Sequence, residues 1–258
     1  MNILAIGNSF SVDATRYLHQ IGEAAGLHNM IGNLVIGGCT LETHWDNIEN
    51  NARKYQFQLN GNPTNYMISI DQILDSAQWD VIITQQASYD SGWIESYEPF
   101  LGLILDHLCK KQPNARIMLH ETWAYASDSQ HTRFLRYNRS QNQMFERLHT
   151  AYHTMSTRYE LPLIPSGELI QILRSTEYFN EENGRYSICR DGFHMNLLYG
   201  LYALGCLWAK VLWNISLKDN SYIPCESSAE LETLFPSGEI DMEVIQAIRN
   251  EVDAMKIF

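Results

Sequence analysis

A serine, an aspartate and a histidine occur in a chain order that acyl-transfer chemistry uses. Two residues separate Ser9 from the preceding apolar run Ile3–Ile6, which predicts a strand. Asp191 and His194 stand together far along the chain, just before a long apolar segment. A serine hydroxyl needs a base to take its proton, and the base needs a carboxylate to fix its tautomer. The three residues therefore predict a nucleophilic Ser-His-Asp site.

The local motifs are not those of the α/β-hydrolases, because Ser11 stands where their G-x-S-x-G elbow has its second glycine. They resemble instead the SGNH (GDSL-type) hydrolase superfamily. Gly7-Asn8-Ser9 is similar to its Gly-Asp-Ser block, and Gly37-Gly38-Cys39-Thr40 to its second-strand glycine block. The pair Asp191 and His194 matches its Asp-x-x-His block. Its Gly-x-Asn-Asp block falls at Gln85-Gln86-Ala87-Ser88, which is closer to the variants of carbohydrate acetylesterases.

This resemblance, over roughly residues 1–213, implies a flavodoxin-like SGNH hydrolase fold of the α/β class. The alternation of apolar strand-like runs with helix-like segments separately predicts a three-layer α/β/α sandwich. The sheet is expected to be parallel, with about five strands, at 3–6, 30–36, 79–84, 116–120 and 161–164.

The connecting segments predict helices and one hairpin. A helix capped by Asp13 is expected to end at Gly26, and a hairpin is expected within 54–70. Residues 1–215 should form the hydrolase-like domain, and 216–258 a helical appendage with two acidic stretches, packed on the same domain. The other predicted helices lie near 41–52, 97–111, 133–159 and 195–213, and residues 174–190 are expected to form an exposed excursion.

The transition-state oxyanion needs hydrogen-bond donors. The resemblance implies the backbone N–H groups of Ser9 and Gly38. A third donor would be the side chain of Gln86, in first place, or of Ser88. Each residue also has a simpler interpretation. Ser9 would cap a helix, Gly38 would allow a tight turn, and Gln86 and Ser88 would bind loop backbone.

Polar and aromatic residues after the predicted strands are candidates for substrate contact. Ligands bind at the carboxyl ends of strands in such sheets, and aromatic rings offer flat surfaces to sugars. Core packing is the alternative role of an aromatic residue. The candidate substrate-binding residues are Trp45, Gln85, Tyr89, Trp93, Trp123 and Tyr125.

The resemblance implies a serine esterase that removes small acyl groups, acetyl first, from a carbohydrate or other polar small-molecule ester. Two alternatives stay open: a short-chain lipase-like or thioesterase-like acylhydrolase, and a catalytically silent sugar-binding relative. No cofactor and no metal are expected.

Metal chemistry has candidate ligands but no recognised motif. His44, His120 and Glu121 could join the Asp191–His194 pair, yet no HExxH sequence is present. His149 and His153 share a helix face and are expected to be surface or packing residues, on the edge opposite the active site. Neither Cys39 nor Cys189 is expected to be a nucleophile.

Composition limits the partners. The 258 residues carry a net charge of −12, which disfavours nucleic acid and anionic membranes. The five cysteines are scattered, and the sequence from Met1 enters a strand with no leader-like segment. A cytoplasmic location is expected, and the oligomeric state is left open.

Overall fold

The computed structural model describes residues 1–225 and 240–257. Within them, seven strands form one sheet in the order β4-β3-β2-β1-β5-β6-β7. The strands are β1 (Asn2–Gly7), β2 (Met30–Val35), β3 (Tyr55–Leu59), β4 (Asn62–Ile68), β5 (Val81–Thr84), β6 (Arg116–Glu121) and β7 (Leu163–Pro165).

The five predicted strands are the parallel part of this sheet. β1 lies between β2 and β5, with Ile3 opposite both Ile31 and Val81, and β6 and β7 follow in parallel. Every residue of β5 is buried, as its continuous apolar run indicates. The count rises from five to seven because the predicted hairpin adds β3 and β4 antiparallel to the free edge of β2.

Helices flank the sheet, which confirms the predicted α/β/α arrangement. α1, α2, α8 and α9 pack together as one group, α3, α4 and α5 as another, and α6 lies against β6 and β7. The helices are α1 (Ser9–Thr15), α2 (Leu18–Ala24), α3 (Leu41–Glu49), α4 (Ile70–Ser76), α5 (Phe100–Lys111), α6 (Gln141–Tyr159), α7 (Ser166–Arg174), α8 (Tyr199–Trp213) and α9 (Met242–Ala254).

Two of the predicted helices are each divided into two elements. The first helix begins at Ser9, because Asn8 caps it by accepting the N–H of Phe10, and it is interrupted before Leu18. The predicted helix over 133–159 is divided into a 3₁₀ turn, Thr132–Tyr137, and α6. Asn138 and Arg139 separate the two with positive φ angles of 54° and 51°, which an α-helix does not accommodate.

The C-terminal helix α9 is anchored on α8. The ammonium of Lys210 donates to the carbonyls of Val252, Asp253 and Met255 at 2.7–2.8 Å, where α9 ends. The guanidinium of Arg249 donates to the hydroxyl of Tyr202 at 2.8 Å. One of the two predicted acidic stretches is α9, and the other falls in 226–239, outside the described residues. In the described part of the chain, no helix has both the length and the apolarity needed to cross a bilayer.

Candidate active site

Ser9, His194 and Asp191 form a continuous chain of hydrogen bonds. The Oγ atom of Ser9 lies 2.8 Å from Nε2 of His194, and Nδ1 of His194 lies 2.6 Å from Oδ2 of Asp191. The other carboxylate oxygen of Asp191 accepts the backbone N–H groups of His194 and Phe193, at 2.7 and 3.1 Å. A proton on Nδ1 held by Asp191 leaves Nε2 free to accept the hydroxyl proton of Ser9.

The surroundings of Asp191 favour the ionised form of its carboxylate and the turn that holds it against His194. Partial burial opposes its ionisation, but the hydrogen bonds from the side chain and backbone of His194 outweigh burial and lower its pKa. Gly192, between the two residues, has a φ of +86°, and a Cβ atom there would lie 2.9 Å from Cα of Ser129. A glycine is therefore required for the turn that brings Asp191 back to His194.

Ser9 occupies the first position of α1, directly after β1, and Asn8 fixes this junction. The side-chain oxygen of Asn8 accepts the N–H of Phe10 at 3.0 Å, and its amide donates to the carbonyl of Cys39 at 3.1 Å. An ionised aspartate, as in the Gly-Asp-Ser motif, could not make the second bond, because it has no hydrogen to donate. Asn8 thus ties the Ser9 turn to the turn that contains Gly38.

Gln85 is a supporting residue within the core, which corrects its predicted role in substrate binding. Its side chain is buried, donating to Oδ1 of Asn8 at 2.9 Å and lying 2.6 Å from Nδ1 of His120. The other ring nitrogen of His120 lies 2.9 Å from the hydroxyl of Ser166. Burial lowers the pKa of His120 to about 3, so this imidazole stays neutral. With both nitrogens engaged, His120 is not placed as a metal ligand beside His194.

The side chain of Gln86 is fully engaged in shaping its loop. Its oxygen accepts the N–H groups of Leu41 and Ala87, at 3.0 and 2.8 Å. Its amide donates to the carbonyl and the hydroxyl of Ser96, at 2.9 and 3.0 Å. Both amide hydrogens thus have acceptors, which corresponds to the simpler of the two predicted roles for Gln86.

The other predicted oxyanion donors are the side chain of Ser88 and the backbone N–H groups of Ser9 and Gly38. The hydroxyl of Ser88 is buried and shares a hydrogen bond of 2.8 Å with the hydroxyl of Tyr125. Gly38 is exposed, with a φ of +63°. The N–H groups of Ser9 and Gly38 donate no hydrogen bond within residues 1–225 and 240–257. These two backbone groups are consequently available to a ligand.

Trp123 and Tyr125, two of the aromatic residues predicted to contact the substrate, are fully buried and are therefore core residues. The ring of Trp123 stacks on Phe10 with centroids 4.1 Å apart, and its indole N–H donates to the carbonyl of Phe193 at 2.7 Å. Trp123 therefore contacts Phe10, the neighbour of Ser9 in the chain, and Phe193, the neighbour of His194. It supports both sides of the Ser9–His194 contact.

The remaining three aromatic candidates are partly exposed. Trp45 lies on α3, packed at the edge of the core. The hydroxyl of Tyr89 donates to the carbonyl of Gly38 at 2.9 Å, so its ring lies beside the predicted oxyanion turn. The guanidinium groups of Arg136 and Arg147 lie 4.7 and 4.8 Å from the ring centre of Trp93, and its ring is therefore not free for a sugar.

A buried ion pair that the sequence did not indicate lies behind the site. Asp13 is expected from the sequence as a helix cap, but it lies inside α1, one turn after Ser9. Its carboxylate contacts the guanidinium of Arg190 at 3.1 Å and accepts the N–H of Met195 at 2.8 Å. Burial raises the pKa of Asp13, and Arg190 and His194 counteract that rise. The pair joins the helix of Ser9 to the segment of His194.

Two cysteines considered as nucleophiles, and His44, considered as a metal ligand, are buried. Burial raises the pKa of Cys39 to about 12 and that of Cys189 to about 11, so both remain thiols at neutral pH. Nδ1 of His44 lies 2.8 Å from the hydroxyl of Tyr55, and burial lowers the pKa of His44 to about 3. His44 is therefore a neutral core residue in this structure.

Comparison with known families gives a match over most of the chain. Residues 2–235 match the model of DUF4886, a domain of unknown function. The chain belongs to the DUF4886 family. A crystal structure of a DUF4886 family protein from Bacteroides uniformis shares 33% identity, with a TM-score of 0.86. The alignment spans 98% of this chain and 93% of that protein. A search of curated proteins found no match.

More distant structures place this DUF4886 protein in the SGNH hydrolase fold, as predicted. A protein from Slackia heliotrinireducens assigned to the SGNH hydrolases has a TM-score of 0.56 at 16% identity, over 82% of this chain and 98% of its own. The acetyl xylan esterase AlAXEase has a TM-score of 0.55 at 14% identity, over 82% and 100% of the two chains. These identities establish the shared fold alone.

Proposed function

We propose that this DUF4886 protein is a serine ester hydrolase, with Ser9 as nucleophile, His194 as general base and acid, and Asp191 as the orienting carboxylate. The observation that carries the proposal is the unbroken hydrogen-bonded chain from Oγ of Ser9 through the imidazole to Asp191. The lowered pKa of Asp191 supports it, because an ionised carboxylate stabilises the imidazolium formed when Ser9 loses its proton.

The reaction follows from these positions. Oγ of Ser9 attacks the ester carbonyl while Nε2 of His194 takes the hydroxyl proton. The tetrahedral oxyanion is met by the backbone N–H groups of Ser9 and Gly38, which have no other acceptor in the described residues. The imidazolium then protonates the leaving alkoxide, and an acyl-enzyme on Ser9 remains. Water, deprotonated by His194, releases the acid and restores the hydroxyl.

We further propose that the substrate carries a small acyl group, acetyl in first place, on a carbohydrate or similar polar scaffold. The site is open: the side chains of His194 and Asp191 are 18% and 40% exposed. Catalytic side chains this accessible to solvent suit an ester carried on a polar scaffold that stays hydrated, with a small acyl group placed against Ser9. The acetyl xylan esterases among the proteins of the same fold support the same choice.

The rim of the site is also suited to hydroxyl-rich substrates. The ring of Tyr89 stacks against His131, and the guanidinium of Arg133 lies 5.4 Å from the ring centre of Tyr89. The ring of His131 is 5.0 Å from that of Phe193, next to His194 in the chain. These side chains offer polar groups and a partly exposed aromatic surface.

Active-site labelling tests the catalytic part of the proposal. A fluorophosphonate should label the wild-type protein at Ser9, and p-nitrophenyl acetate should give a burst of p-nitrophenol. Both should be lost in Ser9→Ala and kept in Ser175→Ala, which removes an exposed hydroxyl at the C-terminal end of α7. Sugar binding without labelling would instead show a silent relative.

Acyl-chain length tests the substrate class. The kcat/KM for p-nitrophenyl esters should fall from acetate to butyrate to octanoate, and acetylated xylo-oligosaccharides should release acetate. A rate that rises with chain length would contradict the acetyl assignment and favour a lipase-like activity, while leaving Ser9 as the nucleophile.

A further inference from the structure

A group of metal-binding side chains lies on β6 and α6, apart from the Ser9 site. Glu121 ends β6 with a fully buried side chain. One carboxylate oxygen lies 2.7 Å from Nδ1 of His149, and the other accepts the N–H of Glu168 at 3.2 Å. His153 follows His149 by one turn of α6, with ring centroids 4.1 Å apart. One ligand atom from each of Glu121, His149 and His153 fits within 4.8 Å of the others.

This position differs from the one expected from the sequence for the two histidines. His149 and His153 were expected at the edge of the sheet opposite the active site. His149 instead contacts Glu121, the last residue of a parallel strand, and therefore lies near the carboxyl end of β6. The contact joins the middle of a helix to the end of a strand, and helical periodicity alone does not reveal it.

We propose that Glu121, His149 and His153 bind one divalent transition-metal ion, zinc in first place. Two imidazoles and one carboxylate are a ligand set that zinc takes, with a further position left open. Imidazoles spaced one turn apart on a helix present their nitrogens on the same side. The metal would lie between the Glu121 oxygen and the His149 nitrogen, now 2.7 Å apart, which requires them to separate by roughly 0.6 Å.

The open position of the metal would face a cavity. His149, His153 and Glu168 line a cavity of about 730 Å³, which Met255 and Lys256 also line. An ion there is reachable from solvent, and either a water or the carboxylate of Glu168 can complete its coordination. The partly exposed His149 can move away from Glu121 to admit the ion.

The metal site would be independent of ester hydrolysis. Successive residues of a strand point to opposite faces of the sheet. His120 accordingly contacts Ser166 and the ring of Trp208, whereas Glu121 contacts His149 on α6. The ion would join β6 to α6 and stabilise that junction, without touching Ser9.

Metal titration of the tag-free protein, stripped with a chelator and then exchanged into buffer, tests the proposal. Zn²⁺ should bind one to one in competition with a chromophoric chelator, and Co²⁺ should give the visible absorption of a four-coordinate ion. In His153→Ala the affinity should fall at least about tenfold, as loss of a directly coordinated ligand requires. The exposed position of His153 makes this variant safe for folding. His28→Ala, which removes an exposed histidine elsewhere, should bind as the wild type does.

Thermal unfolding gives a second readout. Zn²⁺ should raise the melting temperature of the wild type and of His28→Ala, but not that of His153→Ala or His149→Gln, because only a metal bound by the native state stabilises it. Absence of saturable one-to-one binding, or equal affinity in wild type and His153→Ala, would overturn the proposal. Ester hydrolysis should be unchanged by the chelator in either case, so the two functions are tested separately.

Discussion

The carboxylate of Asp13 and the guanidinium of Arg190 form an ion pair at 3.1 Å, although 177 positions separate them in the chain. Asp13 lies one turn after Ser9 on α1, and the backbone N–H of Arg190 donates to the carbonyl of His194 at 2.9 Å. The pair therefore connects the nucleophile and the base through two short links. We infer that it sets the distance between Ser9 and His194.

Asp13→Asn should lower kcat by about ten- to a hundredfold with little change in KM, since small misplacements of catalytic groups have costs of that size. An asparagine can still accept from Arg190, but its amide nitrogen would then face the N–H of Met195, so one bond is lost. Steady-state kinetics and urea unfolding together check this. A variant that loses stability while keeping its kcat would show that the pair has only a structural role.

The catalytic residues should behave as one unit. Ser9→Ala and His194→Ala should each lower kcat by on the order of 10³-fold or more, and the double variant should be little worse than either single variant. Circular dichroism should show that the fold is kept, since neither change leaves a buried group without its partner. Near-native turnover by Ser9→Ala on an ester that the wild type cleaves would refute the assignment.

The sequence predicts those parts of the site that are formed by residues close together in the chain. It does not reveal contacts between residues that are far apart in the chain. The sequence predicts the pairing of Asp191 with His194 because the motif that joins them is four residues long. The strand Val81–Thr84 was predicted because burial on both faces leaves a continuous apolar run. The pairing of Asp13 with Arg190 leaves no comparable pattern, because each residue is also common at an exposed position.

The two adjacent glutamines show a second limit. Gln85 and Gln86 follow a buried strand, and the sequence indicates only that their amides need partners. The partners of Gln85 are Asn8 and, on the neighbouring strand, His120. Those of Gln86 include Leu41, at the start of α3, and Ser96, which lies further along the chain. This packing decides that both amides are used within the protein and that neither is left for a ligand.

The dependence of activity on pH follows from the lowered pKa of Asp191. Burial opposes its ionisation, but the bonds from His194 prevail, so the carboxylate stays charged below the ordinary aspartate value of about 3.9. The kcat/KM should therefore show no loss from protonation of Asp191 as the pH is lowered to about 4. The charged carboxylate of Asp191 stabilises the folded state at pH values above the pKa that Asp191 has in the unfolded chain. This stabilisation is lost as the pH falls through the lower pKa that Asp191 has in the folded protein.

Asp191→Asn should test this assignment of the carboxylate. The amide can hold the imidazole in the wrong tautomer, so kcat should fall by about 10³- to 10⁴-fold. The difference in unfolding free energy between wild type and variant should shrink as the pH is lowered below about 4, where the Asp191 carboxylate of the unfolded chain gains a proton while that of the folded protein keeps its charge to lower pH. A difference that is constant with pH would contradict the lowered pKa.

The oxyanion site should consist of two backbone donors, which distinguishes Gly38 from the side chains near it. Gly38 has a φ of +63°, and a Cβ atom there would lie 3.7 Å from its nearest neighbour, in the ring of Tyr89. Gly38→Ala therefore meets no steric clash but strains the turn, and any relaxation turns the N–H away from the oxyanion. Losing one such donor costs about 10² to 10³ in kcat.

Ser88→Ala should lower kcat by less than about tenfold, because the hydroxyl of Ser88 is already paired with that of Tyr125. Gln86→Ala should chiefly lower stability, since it removes the partners of Leu41 and Ser96. Kinetics on p-nitrophenyl acetate, with urea unfolding of each variant, separate the two effects. A loss of 10² or more in Ser88→Ala, with stability unchanged, would mean that Ser88 is a third donor and that the two-donor assignment is wrong.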